Sequence, residues 1–550
     1  MGWNKLISSP QTPGATPWLL RHWDLLLLAL FWTGVLLIRI RFLSLPFERD
    51  EGEYAYGGQL ILDGIPLYRE LYTLKWPGTH LSYALILALL GQSIAGVHFG
   101  LLLINTAAAA MLYPLARCWL NRPFAVFATA SFLTLTLSPA AHGVIANAEH
   151  FALLWIVPGL YCLDRGLRRG RSAPCLQAGI FLQAAVVCKQ PALMFVIGGC
   201  IVCAGAALSD LRCRQGWRNL AAYLAGNGIV GLTLVSLILY WGVWDDFVFW
   251  TMTYARDYTS QNSLPLAAWT FYQMLYWVIG GTWPIYVLSV IGLISAAATL
   301  PWRSSLTVGS FWLASGAAVA TGFYFRPHYF LFAAPVTALL AGFAVQTVAD
   351  RLQRPTWLRT GWLVGCAASL VFCFFIERLI LFRITMPVAI RAIHPGYAFV
   401  ESPLVGEYLK ERLPADGRVF ILGSEPQICF YAHRRSATGF IYLYPFFEKH
   451  PHQVAMQQRL IDQVEAAKPE YVIVTRTHPF FDPDPNWEGP LLDWIPRFLS
   501  GYEQCGIAIA KPEGVSFFDF APAQPVPLPP AADLILYRRQ TPSDQSIPIP

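Results

Sequence analysis

Long apolar runs alternate with short polar connections through residue 376, and beyond it the chain turns to short apolar stretches set in polar sequence. A membrane-spanning helix needs about 20 mostly apolar residues. Runs of this kind cover 23–40, 97–120, 124–137, 150–163, 176–187, 193–208, 220–241, 283–300, 306–323, 329–348 and 358–376, so about eleven spans are expected. Basic residues in the connections set the orientation, because Lys and Arg favour the cytoplasmic side. The connections at Arg117 and Arg122, at 165–171, at 212–218, at Arg303 and at 351–359 are basic, and every second loop is thereby cytoplasmic. The alternation closes only if the apolar piece at 80–91 does not cross, which places it flat in the interface as a juxtamembrane helix. Residues 1–22 then lie in the cytoplasm. The loop at 43–96, the segment at 147–150, the loop at 244–263 and the turn at 326–329 all face outward, where they can converge on one cavity.

The C-terminal part reads as a soluble α/β domain at 395–539, outside the membrane because the number of crossings is odd. Short buried strands are expected at 414–422, 427–432 and 469–475, and an amphipathic helix at 454–467. A Pro-rich segment follows at 522–530 and a disordered polar tail at 540–550. This part contains no Gly-rich phosphate loop.

Composition agrees with the pattern. At 550 residues, 55% hydrophobic and 13% charged, with a mean hydropathy of +0.45, the chain is too apolar for a soluble globule and too long for one domain. The fold class is an α-helical polytopic membrane protein with a C-terminal α/β domain, and no nucleic-acid partner is expected. Most of the eleven cysteines sit inside apolar runs without CxxC pairs and read as small hydrophobes. Cys429 and Cys505 fall in the polar part, and a disulfide between them is left open. The first apolar run has no small-residue cleavage site behind it and is expected to be retained.

The candidate chemistry begins in the outer loop at 41–83, an acidic island in a basic protein: Glu48, Asp50, Glu51, Glu53, Asp63 and Glu70 against Arg49, Arg69 and Lys75. Residues 50–62 suit a helix with acids in its first turn and Gly64 at its end. Helical spacing puts Asp50, Glu53 and Tyr54 on one face, around a small polar ligand; the plain alternative is a solvated loop. Lys75 precedes Pro77 and Gly78 at a helix start, where backbone N–H groups add to its attraction for a lipid phosphate; otherwise it is a snorkelling lysine. Asn147, Glu149 and His150 open an apolar run on the same side. Arg326, His328 and Tyr329 lie between two spans, and a guanidinium there suits phosphate oxygens bidentately. Lys189 and Arg256 are further outward-facing cations. Cations beside carboxylates call for a substrate that carries a phosphate and presents a group to be deprotonated.

The order of the motifs RDEGEYAYGGQLILDG, LKWPG, NAEHF, CKQPAL and RPHYF resembles the GT-C glycosyltransferases of the protein mannosyltransferase and aminoarabinose transferase superfamily, in particular the bacterial glycosyltransferase family 39-like members, over about 23–376. The resemblance implies a catalytic membrane domain at 23–380 in the bacterial inner membrane, acting as a hexosyl- or pentosyltransferase. It implies a polyprenyl-phosphate sugar as donor, a hydroxyl of a lipid, glycan or protein as acceptor, and inversion in one displacement. Asp50 would be the general base, with Glu51 as the alternative. Lys75 and Arg326 would hold the donor phosphate, joined by Lys189 and Arg256, while Glu53, Tyr54, Asn147, Glu149, His328 and Tyr329 would line the substrate cavity. No motif demands a metal, although a divalent cation at Asp50 and Glu51 is conceivable. A transporter or flippase of a polyprenyl-linked sugar is the competing class, and it would place ionisable residues at mid-span depth rather than at the outer ends. The tail carries neither the trefoil inserts nor the all-membrane ending of better-known members.

Overall fold

The computed structural model describes residues 22–209, 211–212, 214–260, 262–475, 488–509, 517–519 and 532–540. Residues 1–21, the Pro-rich stretch at 522–530 and the tail at 541–550 lie outside the described residues.

The first span, α1 (Trp23–Arg41), leads through a 3-10 turn, Phe42–Ser44, into the acidic island. The island folds as two helices, α2 (Arg49–Leu62) and α3 (Gly78–Leu90). Its acids explain where α2 begins. Glu48 is the N-cap and accepts from the Glu51 amide at 3.1 Å, while the Glu51 carboxylate accepts from the Glu48 amide at 3.2 Å. This capping box satisfies donors that a helix start leaves orphaned and sets negative charge at the positive end of the dipole. Gly64, at φ 78°, follows the Asp63 C-cap and ends the helix. α3 packs on the glycine face of α2, where a Cβ at Gly57 would come 2.5 Å from the His80 ring and one at Gly58 3.0 Å from the Ala84 nitrogen. With 13 residues α3 is too short to cross, as expected for an interfacial helix.

The bundle continues through α4 (Ile94–Arg117), α5 (Arg122–Leu137), α6 (Ala148–Arg169), α7 (Ser172–Cys188), α8 (Leu193–Leu208) and α9 (Arg214–Trp241). It is completed by α10 (Leu264–Gly280), α11 (Trp283–Thr299), α12 (Trp302–Ala320), α13 (Ala334–Arg351) and α14 (Thr356–Ile376). Among the described residues seven helical stretches are long and apolar enough to span; α10 and α11 are bent by 107° and make an eighth only when the pair is counted as one. The expected spans at 124–137 and 176–187 fall in shorter apolar helices. The one at 150–163 falls in α6, whose Glu149, Asp164, Arg165, Arg168 and Arg169 lower its hydropathy. Hydropathy left 264–280 unassigned. Its exposed Trp269, Tyr272, Tyr276 and Trp277 suit a helix lying at the interface rather than through the core. Small residues let the spans pack: a Cβ at Gly179 of α7 or Gly226 of α9 would come 2.1 Å from a carbonyl of the facing helix.

After α14 a short helix, Met386–Ile393, leads to α15 (Ser402–Arg412), α16 (Gln427–Ala432), α17 (Gln453–Ala467) and α18 (Leu491–Leu499). These flank a six-stranded sheet of β1 (Arg418–Leu422), β2 (Arg435–Ser436), β3 (Tyr471–Thr475), β4 (Tyr502–Ile509), β5 (Phe517–Asp519) and β6 (Ala532–Arg539), in the order β2-β1-β3-β6-β4-β5. β1 runs parallel to β2 and β3, and the remaining pairings are antiparallel. The strand expected at 427–432 is instead the helix α16. A short apolar run carries no period that separates the two, and here it is buried between α15 and α2. Gly52 permits that docking, since a Cβ there would meet the Gln427 nitrogen at 2.6 Å. Cys429 and Cys505 are both buried free thiols, so the disulfide left open by the sequence is not formed.

Candidate active site

Six stretches of chain enclose a cavity of about 520 Å³ over the first turns of α2. Asp50 and Glu53 come from α2, residues 73–75 from the loop before α3, and residues 189–191 from the break between α7 and α8. A helix after α9, Trp244–Val248, passes through a π-helical turn, Phe249–Tyr254, into Ala255–Thr259 and supplies a fourth wall. The turn between α12 and α13 adds Arg326 and Tyr329, and the C-terminal domain adds Tyr442 and Tyr444.

Spacing of three on α2 aims Asp50 and Glu53 to one side, but their surroundings differ. Glu53 is fully buried. Its Oε2 accepts from Lys75 Nζ at 2.5 Å and from the Tyr442 hydroxyl at 2.6 Å, its Oε1 accepts from Thr73 Oγ1, and His80 Nε2 lies 3.5 Å away. Asp50 is 23% exposed. Its Oδ1 stands 3.1 Å from Lys75 Nζ and 3.2 Å from the Tyr442 hydroxyl, and its Oδ2 has no hydrogen bond among the described residues. Burial pushes the Glu53 carboxyl up, yet Lys75 and then His80 overcome it and bring it down to about 2. The same contest holds Asp50 below the usual carboxylate range: burial raises it, and Lys75, with Lys189 and Arg326 further off, lowers it more. Desolvation works to lower Lys75, and the two carboxylates hold it above its ordinary value instead.

Tyr54, expected in the cavity wall, is instead fully buried beneath this trio and outside the lining, its ring 4.4 Å from Lys75 Nζ. Lys189 lies 3.3 Å from the buried Glu149 and 5.3 Å from the Tyr329 ring. Asn147 occupies the N-cap position of α6, behind Lys189, with no hydrogen bond to either side-chain atom among the described residues. Arg326 rests 5.5 Å from the Tyr324 ring and has no carboxylate partner among the described residues. Arg256 sits at the mouth, 80% exposed and 3.6 Å from Asp257. His328 is buried, next to His142 at 5.8 Å between ring centroids, and His142 in turn is 4.5 Å from His394.

Glu51 does not join them. Its Oε1 accepts from the Ala146 amide at 2.6 Å and lies 2.9 Å from His98 Nε2, so it ties the turn before α6 to the cap of α2 and is away from the cavity. Its place gives no support to Glu51 as an alternative base, nor to Asp50 and Glu51 as a cation-binding pair. Among the described residues no group of three His, Cys, Asp or Glu side chains is spaced to hold a metal ion.

Tyr442, Tyr444, Thr73 and Arg49 were not expected in the site. Tyr442 reaches it because the C-terminal domain is seated on α2: Arg49 Nε donates to the Ser424 carbonyl at 2.7 Å, its guanidinium lies 3.5 Å from Glu425, and the Tyr56 hydroxyl accepts from the Ser436 amide at 2.9 Å. No local pattern marks a residue that acts across about four hundred positions of chain.

The polytopic bundle thus carries a first loop of two short helices, with Asp50 on α2 and Lys75 in the loop before α3, under a C-terminal α/β domain. Among solved structures the chain is similar to ArnT from Cupriavidus metallidurans bound to undecaprenyl phosphate, with a TM-score of 0.57 and 14% identity over 94% of this chain and 98% of that one. ArnT from the same organism in the apo state gives a TM-score of 0.57 and 14% identity over 92% and 97%. At that identity the likeness establishes the fold. By sequence, neither a family model nor a curated protein matches the chain.

Proposed function

We propose that the chain is an inverting glycosyltransferase that moves a sugar from a polyprenyl-phosphate donor to an acceptor hydroxyl on the extracytoplasmic side of the membrane. One observation carries the reading. A partly exposed carboxylate with an oxygen to spare, Asp50, faces a cavity edged by cations, one of which, Arg326, makes no ion pair among the described residues. The likeness to a fold that binds undecaprenyl phosphate in ArnT supports the donor class, and the basic connections at the opposite end of the bundle support the sidedness.

Asp50 takes the acceptor proton while the hydroxyl oxygen attacks the anomeric carbon from the face opposite the phosphate. The C–O bond to the phosphate breaks, and Lys75 and Arg326 receive the charge left on it. Lys75 explains how a carboxylate held below its usual range can act as base. A phosphate that draws Lys75 toward itself weakens the hold of that cation on Asp50, and the carboxyl rises to where it can accept a proton. Glu53, held by Tyr442, Thr73 and Lys75, keeps the lysine in reach of both. Lys189 and Arg256 extend the cationic edge, and Tyr329 shapes the wall.

The test is a transfer assay with purified protein and a panel of polyprenyl-phosphate sugars, following release of free polyprenyl phosphate. Release coupled to a glycosylated acceptor is expected. Translocation of intact donor across reconstituted vesicles without any transfer would make the protein a transporter instead.

A further inference from the structure

At the end of the bundle away from Asp50 a second cavity, about 310 Å³, opens between α6, α8 and the first turns of α12. α6 alone puts about 22 Å between Glu149 and Asp164, at about 1.5 Å per residue. Two arginines flank its mouth, each backed by a tryptophan. Arg168 lies 4.4 Å from the Trp119 ring and Arg303 5.5 Å from the Trp302 ring. Arg168 is paired with Asp164 on its own helix, at 2.8 Å. Arg303 donates to Ser209 Oγ at 2.8 Å and has no carboxylate partner among the described residues, so the mouth keeps a positive charge.

The cavity does not end at these charges. It shares Trp119, Leu160, Asp164, Thr307 and Phe311 with a narrower slot of about 70 Å³ that runs on between α4, α6, α11, α12 and α13. Leu115, Leu300, Val308, Val336 and Leu340 line that slot. Such walls give water almost no hydrogen-bond partners, and apolar voids of this kind stay dry or take an apolar guest. The occupant that matches both ends has an acidic head and a hydrocarbon chain. Guanidinium groups bind phosphate oxygens in a fork, tryptophans favour the headgroup level, and Arg117, Arg165 and Arg169 at the same end of the bundle raise the potential that draws anionic lipid.

We propose that this is a binding site for one anionic glycerophospholipid, with its phosphate between Arg303 and Arg168 and the end of one acyl chain in the slot. The lipid would tie α6 to α12 and α13 at the end of the bundle that has no C-terminal domain to clamp it. The site stands apart from the Asp50 cavity and holds whatever reaction takes place there.

The test uses the full chain, stripped of lipid in neutral detergent and examined by native mass spectrometry with phosphatidylglycerol, phosphatidylcholine of the same acyl chains, or undecaprenyl phosphate. One retained phosphatidylglycerol is expected, favoured over phosphatidylcholine by about fivefold, the effect of one uncompensated arginine. Arg303→Gln, at a side chain that among the described residues donates to Ser209 and lies against the Trp302 ring, should bring the two lipids level. Val308→Trp, which fills the slot without changing charge, should lose the bound lipid. Both variants should elute as the wild type does on size exclusion. Equal retention of the two phospholipids by the wild type would overturn the proposal, as would a preference that survives both substitutions. Displacement of phosphatidylglycerol by undecaprenyl phosphate in an Arg303-dependent way would overturn it too, making this a polyprenyl site.

Discussion

Two buried ion pairs in this molecule have the same parts and different company. At the start of α1, Asp24 is 1% exposed, its Oδ2 2.9 Å from Arg122 Nε of α5 and 3.1 Å from the Tyr113 hydroxyl of α4. Some 27 Å along the bundle, at about 1.5 Å per residue of α1, Glu53 is buried between Lys75 and the hydroxyl of Tyr442. Both pairs join separate elements through an acid, a base and a phenol. The first matches a buried acid to a base that reaches water, and lines none of the cavities above. The second has a surplus acid, Asp50, on the edge of an open cavity. Tying helices together needs no second carboxylate, and a surplus charge at such a place costs stability unless it serves a ligand. The difference separates a structural ion pair from a candidate catalytic one.

Several substitutions would break or sharpen that contrast. The largest effect is expected for Asp50→Asn, which should lower turnover by about 10²–10⁴-fold, the worth of a positioned general base, while the thermal midpoint stays close to wild type. Asp24→Asn should do the reverse, lowering the midpoint and sparing turnover. Next comes Lys75→Ala. It strands Glu53 in the interior and should destabilise the protein by about 3–5 kcal/mol in detergent unfolding, with partial recovery in Lys75→Ala/Glu53→Gln. Arg122→Ala leaves Asp24, 1% exposed, without its cation and should also lower the midpoint, by less than Lys75→Ala because the Arg122 side chain is 41% exposed and water reaches that end of the pair. Tyr442→Phe removes a hydrogen bond to a charged group, worth about 1.5–3 kcal/mol, and should slow turnover by about 10–100-fold with donor KM unchanged. Tyr113→Phe should leave turnover alone.

The smallest effect is in pH. Glu53, lowered in the fold from 4.5 to about 2, contributes stability that is fully present above pH 4.5 and is lost as the pH falls through 2. The thermal midpoint from this group should therefore be flat from pH 7 down to 4.5 and fall below it. Glu53→Gln should shrink that acid limb and leave the part that the lowered Asp50 contributes.

Much of the cavity was legible because its charges lie in short motifs at the breaks between apolar runs. Asp50, Lys75, Lys189 and Arg326 stand out where ions are otherwise scarce, and the charge bias of the loops put them on one side. Glu51 was not separable from Asp50 by sequence, since adjacent residues on a helix diverge by about 100° and only the fold shows which one meets His98 and which the cavity. The bend between α10 and α11 was hidden because only the second of the two helices was read as a span, and 264–280 was given no element of its own. Tyr442 was invisible for a different reason: its partners on α2 are distant in sequence, and a single tyrosine after an apolar stretch looks like core. α16 was misread because six residues, five of them apolar, are too few to show a period.

The central claim is that Asp50, and not its better-buried neighbour Glu53, takes the acceptor proton. Single-turnover release of polyprenyl phosphate by wild type and Asp50→Asn, at saturating donor with binding measured in parallel, tests it most directly. Equal donor binding with release slowed by about 100-fold or more in the variant is the expected result. Release by Asp50→Asn at the wild-type rate would contradict the account.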